Sequence, residues 1–281
     1  MIDGKTQLFG LIGWPVGHSL SPAMHNAAAA ALGLNWTYVP LAVSPERLPD
    51  ALRGLAALGF RGVNVTVPHK QAVIPHLHSI FPATRDTGAV NTIVINDGQL
   101  TGFNTDWSGF LADLESHRLA LFGRDCLVLG AGGAARSVVY ALLRRGARVT
   151  VLSRRPEQAR RLASEFGAVF PDATVTPGLM EEIATTSAHL DEPIIINTTP
   201  LGMAGENAGL SPWPDEPLPR GAFVYDLVYN PARTRLMEQA EAEGRRAVNG
   251  LGMLVRQAAE AFEVMTGRRP DMEVMRRAAE G

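Results

Sequence analysis

Residues Asp125 to Leu129 form an apolar run that opens directly into Gly130, Ala131, Gly132, Gly133, Ala134 and Ala135, and a helical stretch follows to Leu143. No other segment constrains the fold as strongly. The spacing is G-x-G-x-x-G/A with Ala135 in the third position, and a second strand-like run follows at Val149 to Leu152. Strand, glycine turn, helix and strand make a βαβ unit, in which glycines let the backbone approach a pyrophosphate seated on the helix N-terminus. The expected fold class is therefore α/β, with a Rossmann-type doubly wound sheet in this part of the chain.

The end of the second strand specifies the nucleotide. A ribose 2′-hydroxyl is held by Asp or Glu at that point. Here the chain reads Ser153, Arg154, Arg155. Guanidinium groups suit a 2′-phosphate, so the expected cofactor is NADP, with Arg154 best placed because it also stacks on adenine. Arg160 and Arg161, further along, read as a solvated helix face. A third buried strand, Pro193 to Ile196, ends in Asn197, Thr198, Thr199, Pro200, Leu201, Gly202, Met203, polar groups where an open α/β sheet binds ligands. A fourth, Ala222 to Leu227, leads to Tyr229. A helix from about Arg235 to Glu243 follows and ends before Gly244.

The N-terminal part alternates differently. A strand at Leu8 to Ile12 precedes a loop and an alanine-rich helix running to about Leu32, with Ser21 read as N-cap, Pro22 as N1 and Gly33 as the C′ stop. Ser19 and Ser21 thus flank a helix N-terminus, a natural seat for a carboxylate. Capping accounts for Ser21 and leaves Ser19 without a role. A strand near Trp36 to Leu41 and a helix from about Pro45 to Ala57 lead to Asn64-Val65-Thr66-Val67-Pro68-His69-Lys70. Val65 and Val67 are expected on one face, Asn64 and Thr66 on the other. Pro68 closes the strand, leaving Lys70 at the mouth of the sheet beside polar groups. A strand from Ala89 to Ile95 carries Asn91 near its start, Asp97-Gly98 reads as a hairpin turn, and Leu100 to Phe103 returns. Asn104, Thr105 and Asp106 lead into a helix at about Trp107 to Leu114. Asp106 is either an N-cap or the ionic partner of Lys70, and spacing does not choose between them.

At 281 residues the chain fits two domains, and 46% hydrophobic content is that of a globular protein. A net charge of −2 gives no nucleic-acid footprint. The single cysteine, Cys126, excludes an intrachain disulfide, reads as a buried strand residue, and fits a reducing, cytoplasmic setting. No signal peptide and no apolar run of about 18 residues is seen, so no membrane association is expected. The seven histidines show no metal-ligand spacing, and no metal is expected. In the final segment, Leu254, Ala258, Ala261 and Met265 recur at helical spacing as a core stripe. Gln257 lies on or beside that stripe near the helix start, where a glutamine either faces a ligand or is satisfied by backbone; a ligand is the expectation.

Seven segments in order resemble the shikimate dehydrogenase family almost end to end. They are S-L-S-P (Ser19 to Pro22), N-V-T-V-P-H-K (Asn64 to Lys70), A-V-N-T (Ala89 to Thr92), N-T-D (Asn104 to Asp106), G-A-G-G-A-A (Gly130 to Ala135), N-T-T-P-L-G-M (Asn197 to Met203) and N-G-L-G-M-L-V-R-Q (Asn249 to Gln257). The resemblance implies reversible reduction of 3-dehydroshikimate to shikimate by NADPH. It implies that Ser19 and Ser21 bind the substrate carboxylate, and that Asn64, Thr66, Asn91 and Gln257 hold ring hydroxyls. Lys70 and Asp106 would form the catalytic pair, and Tyr229 would close the pocket near the nicotinamide. The cofactor would lie on Gly130 to Ala135, Ser153 to Arg155, Asn197, Thr198, Thr199, Leu227, Gly250 and Met253. His18 and His69 are read as packing or polar support, with catalysis by His69 the alternative. Where the family usually has N-R-T or N-R-S, Ser153 replaces the asparagine, and Arg155 adds charge for the phosphate. The expected domains are 1–106 with 249–281 for substrate and 107–248 for NADP, with a cleft between them, in a monomer or homodimer. Quinate or aminoshikimate dehydrogenase is the alternative, and a non-catalytic metabolite-binding regulator a further one.

Overall fold

The computed structural model describes residues 2–281. The chain is α/β and divides into two compact units, residues 1–109 with 254–281, and 110–253. The first holds β1 (Gln7–Gly13), α1 (Ser21–Ala31), β2 (Trp36–Ala42), α2 (Leu48–Ala57), β3 (Phe60–Val65), β4 (Ser79–Ile80), α3 (Pro82–Thr87), β5 (Thr92–Asn96), β6 (Gln99–Phe103) and the start of α4 (Asp106–Ser116). The second holds β7 (Asp125–Leu129), α5 (Gly133–Leu143), β8 (Arg148–Ser153), α6 (Pro156–Val169), β9 (Val175–Leu179), α7 (Ile183–Ser187), β10 (Ile194–Asn197), β11 (Phe223–Asp226), α8 (Arg235–Ala242) and β12 (Arg246–Asn249). The start of α9 (Leu251–Thr266) belongs to the second unit; the rest of it and α10 (Met272–Glu280) return to the first, where α10 packs on α1.

The first sheet runs β2-β1-β3-β5-β6-β4. β2, β1 and β3 are parallel, but β5 is antiparallel to both β3 and β6. Reversing β5 brings its beginning level with the ends of β3 and β6: Asn64 pairs with Thr92, and Thr92 with Phe103. One edge of the sheet thereby collects Asn64, Asn91, Thr92 and the turn Asn104 to Asp106. The core beneath is aliphatic, with Ile12, Val63, Val65, Val90 and Ile93 at or near zero exposure.

The second sheet is wholly parallel, ordered β12-β11-β10-β7-β8-β9. Read from β9, this is the 3-2-1-4-5-6 order of a Rossmann sheet, whose strand order reverses between β7 and β10. Its central strands are buried on both faces, so Leu127, Leu129, Ile195 and Val224 are fully enclosed.

Three local readings change. The strand carrying Asn64 stops at Val65, and Val67 is 66% exposed rather than sharing the buried face of Val65. Helix α1 begins at Ser21 itself, so Ser21 is not its cap; Ser19 Oγ instead accepts from the Ser21 N–H at 3.3 Å. The region from Pro45 starts as a 3₁₀ turn before α2. Gly33 does end α1, at φ +65, with its N–H on Ala30 and the Leu34 N–H on Ala29, a Schellman closure.

Candidate active site

Lys70 follows the β3 exit. Its Nζ lies 2.7 Å from Asp106 Oδ2, with both side chains largely enclosed. Asp106 is free for this contact because another residue caps α4: Asn104 Oδ1 accepts from the N–H groups of Asp106 (3.0 Å) and Trp107 (3.3 Å). The two readings of Asp106 are thus separated by its neighbour. The second carboxylate oxygen, Oδ1, accepts from Asn91 Nδ2 at 2.9 Å.

Asn91 is the hub of the cluster. Its Nδ2 also faces Thr105 Oγ1 at 2.9 Å and Gln257 Oε1 at 3.2 Å, while its Oδ1 accepts from the Thr105 N–H and the Thr92 hydroxyl. Gln257 is held in turn, its Nε2 donating to the Leu254 carbonyl at 2.9 Å. The Thr105 hydroxyl donates to the Gln257 carbonyl at 3.0 Å, tying α9 to the β6–α4 turn. There Gly109 leaves no room for a Cβ, which would meet Gln257 N at 2.7 Å.

Asn64 extends the cluster toward α1. Its Nδ2 donates to the Asn91 carbonyl (3.1 Å) and Thr92 Oγ1 (3.0 Å), and its Oδ1 accepts from the Tyr38 hydroxyl (2.7 Å). Tyr38 belongs to no motif in the sequence; only its place in β2 brings it here. Asn64 and Asn91 are 6% and 3% exposed, and most of their hydrogen-bonding capacity is used within the protein. They build the site more than they project into it. Thr66 is half-buried, and among the described residues its hydroxyl has no protein partner. His69 is enclosed, with Nε2 donating to the Val43 carbonyl at 2.7 Å and Nδ1 unpartnered. It supports the loop from its buried side. Eight of the nine expected substrate residues therefore lie in the first unit; Tyr229 lies in the second, half-buried, its hydroxyl ionisation raised by burial.

In the second unit the glycine turn sits where β7 meets β10. Gly130 has φ +110, and a Cβ there would meet Thr198 Oγ1 at 2.6 Å, so two independent constraints require glycine. Gly132 has nothing within 4 Å of where a Cβ would stand, and α5 starts after it with no side-chain cap. Open space before uncapped helix N–H groups is a cradle for phosphate. Arg154 and Arg155 are exposed at the end of β8 and enter no ion pair among the described residues. Arg161 is committed to Glu165 at 2.8 Å, which matches the solvated-face reading. This donor set fits a dinucleotide carrying a 2′-phosphate.

Three expected cofactor residues act from behind. Asn197 has no exposed surface; its Nδ2 donates to Asp226 Oδ1 and the Leu201 carbonyl, and its Oδ1 accepts from the N–H and hydroxyl of Thr199. It shapes the loop that displays Thr198 and Thr199. Ser153 is 5% exposed, and its Oγ accepts from the Arg155 N–H at 3.2 Å, fixing the arginine turn. Gly250 is buried where a Cβ would strike the Leu227 carbonyl. Asp226, absent from the sequence reading, ties this region together, accepting from Asn197, the Val228 N–H and the Thr234 hydroxyl. Burial raises its carboxyl to about 6.

The substrate-binding-domain model of shikimate dehydrogenase matches residues 11–93, the shikimate/quinate 5-dehydrogenase model residues 113–199, and the shikimate 5′-dehydrogenase C-terminal model residues 250–280. A protein of Salinibacter ruber named shikimate dehydrogenase (NADP(+)) is 48% identical over 272 residues, covering 95% of this chain and 94% of its own. The chain belongs to the shikimate dehydrogenase family. It is thus an oxidoreductase by family, with a Rossmann-type domain. Among solved structures, shikimate 5-dehydrogenase of Thermus thermophilus in complex with NADP(H) and shikimate aligns with TM-score 0.84 and 40% identity, covering 98% and 99% of the two chains. Quinate dehydrogenase of Corynebacterium glutamicum in complex with NAD aligns with TM-score 0.87 and 33% identity, covering 97% and 98%. No helix among the described residues is long and apolar enough to cross a membrane.

Proposed function

We propose that this chain reversibly reduces 3-dehydroshikimate to shikimate with NADPH, in the biosynthetic route to chorismate and the aromatic amino acids. The observation that carries the reading is the enclosed Lys70–Asp106 pair at 2.7 Å, oriented by Asn91.

When bound, NADP(H) supplies or accepts the hydride. The chain's residues do the rest. Lys70 Nζ has three protons, one committed to Asp106. Another points to the ketone oxygen, stabilises its developing negative charge and is transferred to it as the alcohol forms. In the reverse direction the alcohol proton returns to Lys70. Asp106 holds the ammonium in line, and Asn91 holds Asp106. Ser19 and Ser21 at the α1 terminus receive the carboxylate. Asn64, Thr66 and Gln257 read ring hydroxyls, and Asn91, its amide committed within the protein, orders Asp106 and Gln257 beside them. Tyr229 completes the substrate contacts. A substrate lacking a hydroxyl leaves buried polar groups unpaired and is rejected. The backbone of Gly130 to Ala135, with Thr198, Thr199, Leu227 and Met253, holds the dinucleotide, and Arg154 and Arg155 hold the 2′-phosphate. A cytoplasmic location fits the unpaired, buried Cys126.

The second reading, an NAD-using quinate enzyme, has support in the Corynebacterium likeness. Two uncommitted arginines and no carboxylate at the end of β8 weigh against it. Initial rates with shikimate and quinate, each with NADP and NAD, decide the matter. Strong preference for shikimate with NADP is expected. Turnover of quinate with NAD would move the protein to the other branch. Binding of shikimate without turnover would make it a regulator.

A further inference from the structure

Asn64 is fixed by a residue that no motif contains. Tyr38 sits in β2, 2% exposed, and its hydroxyl donates to Asn64 Oδ1 at 2.7 Å. The Ser21 hydroxyl faces the same phenol oxygen. The phenol cannot swing away. Its ring stacks on His25 at 4.3 Å and 9°, and its main-chain N–H and carbonyl are both bonded to the Asn26 amide. Burial pushes its ionisation well above the usual tyrosine range, so the hydroxyl stays a donor.

An asparagine amide has two ends that differ in what they read. With Nδ2 occupied by the Asn91 carbonyl and Thr92 Oγ1, and Oδ1 holding one bond from Tyr38, the capacity left on Asn64 is the second lone pair of Oδ1. That lone pair accepts from a hydroxyl and repels a carboxylate or ketone oxygen. We propose that Tyr38 is a positioning residue that locks the Asn64 amide in this orientation, so that this position of the site reads a hydroxyl donor. The proposal rests on the shikimate reading above.

The test is Tyr38→Phe, which keeps the ring and removes the hydroxyl. KM for shikimate should rise about five- to tenfold, the loss of one neutral hydrogen bond and the order it imposes. kcat should change less than about twofold, and KM for NADP should not move. The penalty for removing a shikimate ring hydroxyl, measured with deoxy analogues, should shrink for one hydroxyl. A residue that only supported the fold would lower the melting temperature and affect both KM values together. If Tyr38→Phe fails to fold, Tyr38→Met, which fills the space without ring or hydroxyl, carries the same expectation. A shikimate KM within about 1.5-fold of the parent, in a variant that turns over, overturns the role of Tyr38 and leaves the functional reading intact. A parent protein that oxidises no shikimate with either cofactor overturns the functional reading, and this proposal with it.

Discussion

Both units gather polar groups at one edge of a six-stranded sheet, but they do so with opposite means. In the first, side chains hold one another: Tyr38, Asn64, Thr92, Asn91, Thr105, Asp106, Lys70 and Gln257 are bonded in series and largely enclosed. In the second, the presenting groups are backbone N–H groups at an uncapped helix start and two unpaired arginines, while the buried side chains Asn197, Ser153 and Asp226 stay behind them. A preorganised side-chain network suits a small ligand distinguished by its hydroxyls. An open backbone cradle suits a phosphate, which any peptide N–H can bind.

The comparison breaks first at Lys70. Lys70→Ala should cut kcat by about 10³, as loss of a positioned general acid does, with far-UV circular dichroism unchanged. A kcat within tenfold of the parent would mean that the network serves binding only. Arg154→Ala should raise KM for NADP by roughly ten- to a hundredfold, the loss of a charge-assisted bond, with KM for NAD unaltered. Parallel changes in both cofactors would place Arg154 away from the 2′-phosphate.

The units also carry opposite pH liabilities. His25, stacked between Tyr38 and Phe262, is pushed down to about 3 by burial. The unfolded chain takes up this proton below about 6.5 and the folded chain does not, so stability from this group is lost as pH falls toward 3, by about 1.4 kcal/mol per unit. Asp226 in the second unit, raised to about 6, has the reverse sign: its stability is lost as pH rises from about 4 to 6. Urea unfolding of the parent and His25→Leu between pH 4 and 6.5 should give curves that diverge by that slope; parallel curves would rule out a buried neutral imidazole. The smallest effect belongs to Arg161→Ala, whose exposed pair with Glu165 should leave both stability and the NADP KM at parental values.

The same contrast governs how much the sequence disclosed. The glycine turn and the Lys70 segment were legible because backbone geometry and strand punctuation are local. Gly130 requires its φ whatever lies elsewhere, and Pro68 marks a break in the chain between the strand and Lys70, although the strand itself stops at Val65. β4, β9 and β12 escaped the sequence reading. β4 is two residues long, β9 carries Pro177 and Gly178, and all three lie at sheet edges, half exposed and without strong periodicity. Tyr38 and Asp226 escaped because their meaning comes from a partner 26 and 29 residues away in sequence, respectively. Asp106 was legible as one of two things, and only the placement of Asn104 separates them.

The Asn91 amide has one further consequence. Its nitrogen carries two hydrogens but faces three acceptors: Thr105 Oγ1 and Asp106 Oδ1 at 2.9 Å, and Gln257 Oε1 at 3.2 Å. The three cannot all be served at once, and Gln257 holds the weakest claim. A ligand hydroxyl that donates to Gln257 Oε1 therefore displaces nothing, because it satisfies an oxygen left in surplus. Such a contact relieves a competition built into the network, and it favours a ligand orientation that brings a hydroxyl to Gln257 Oε1.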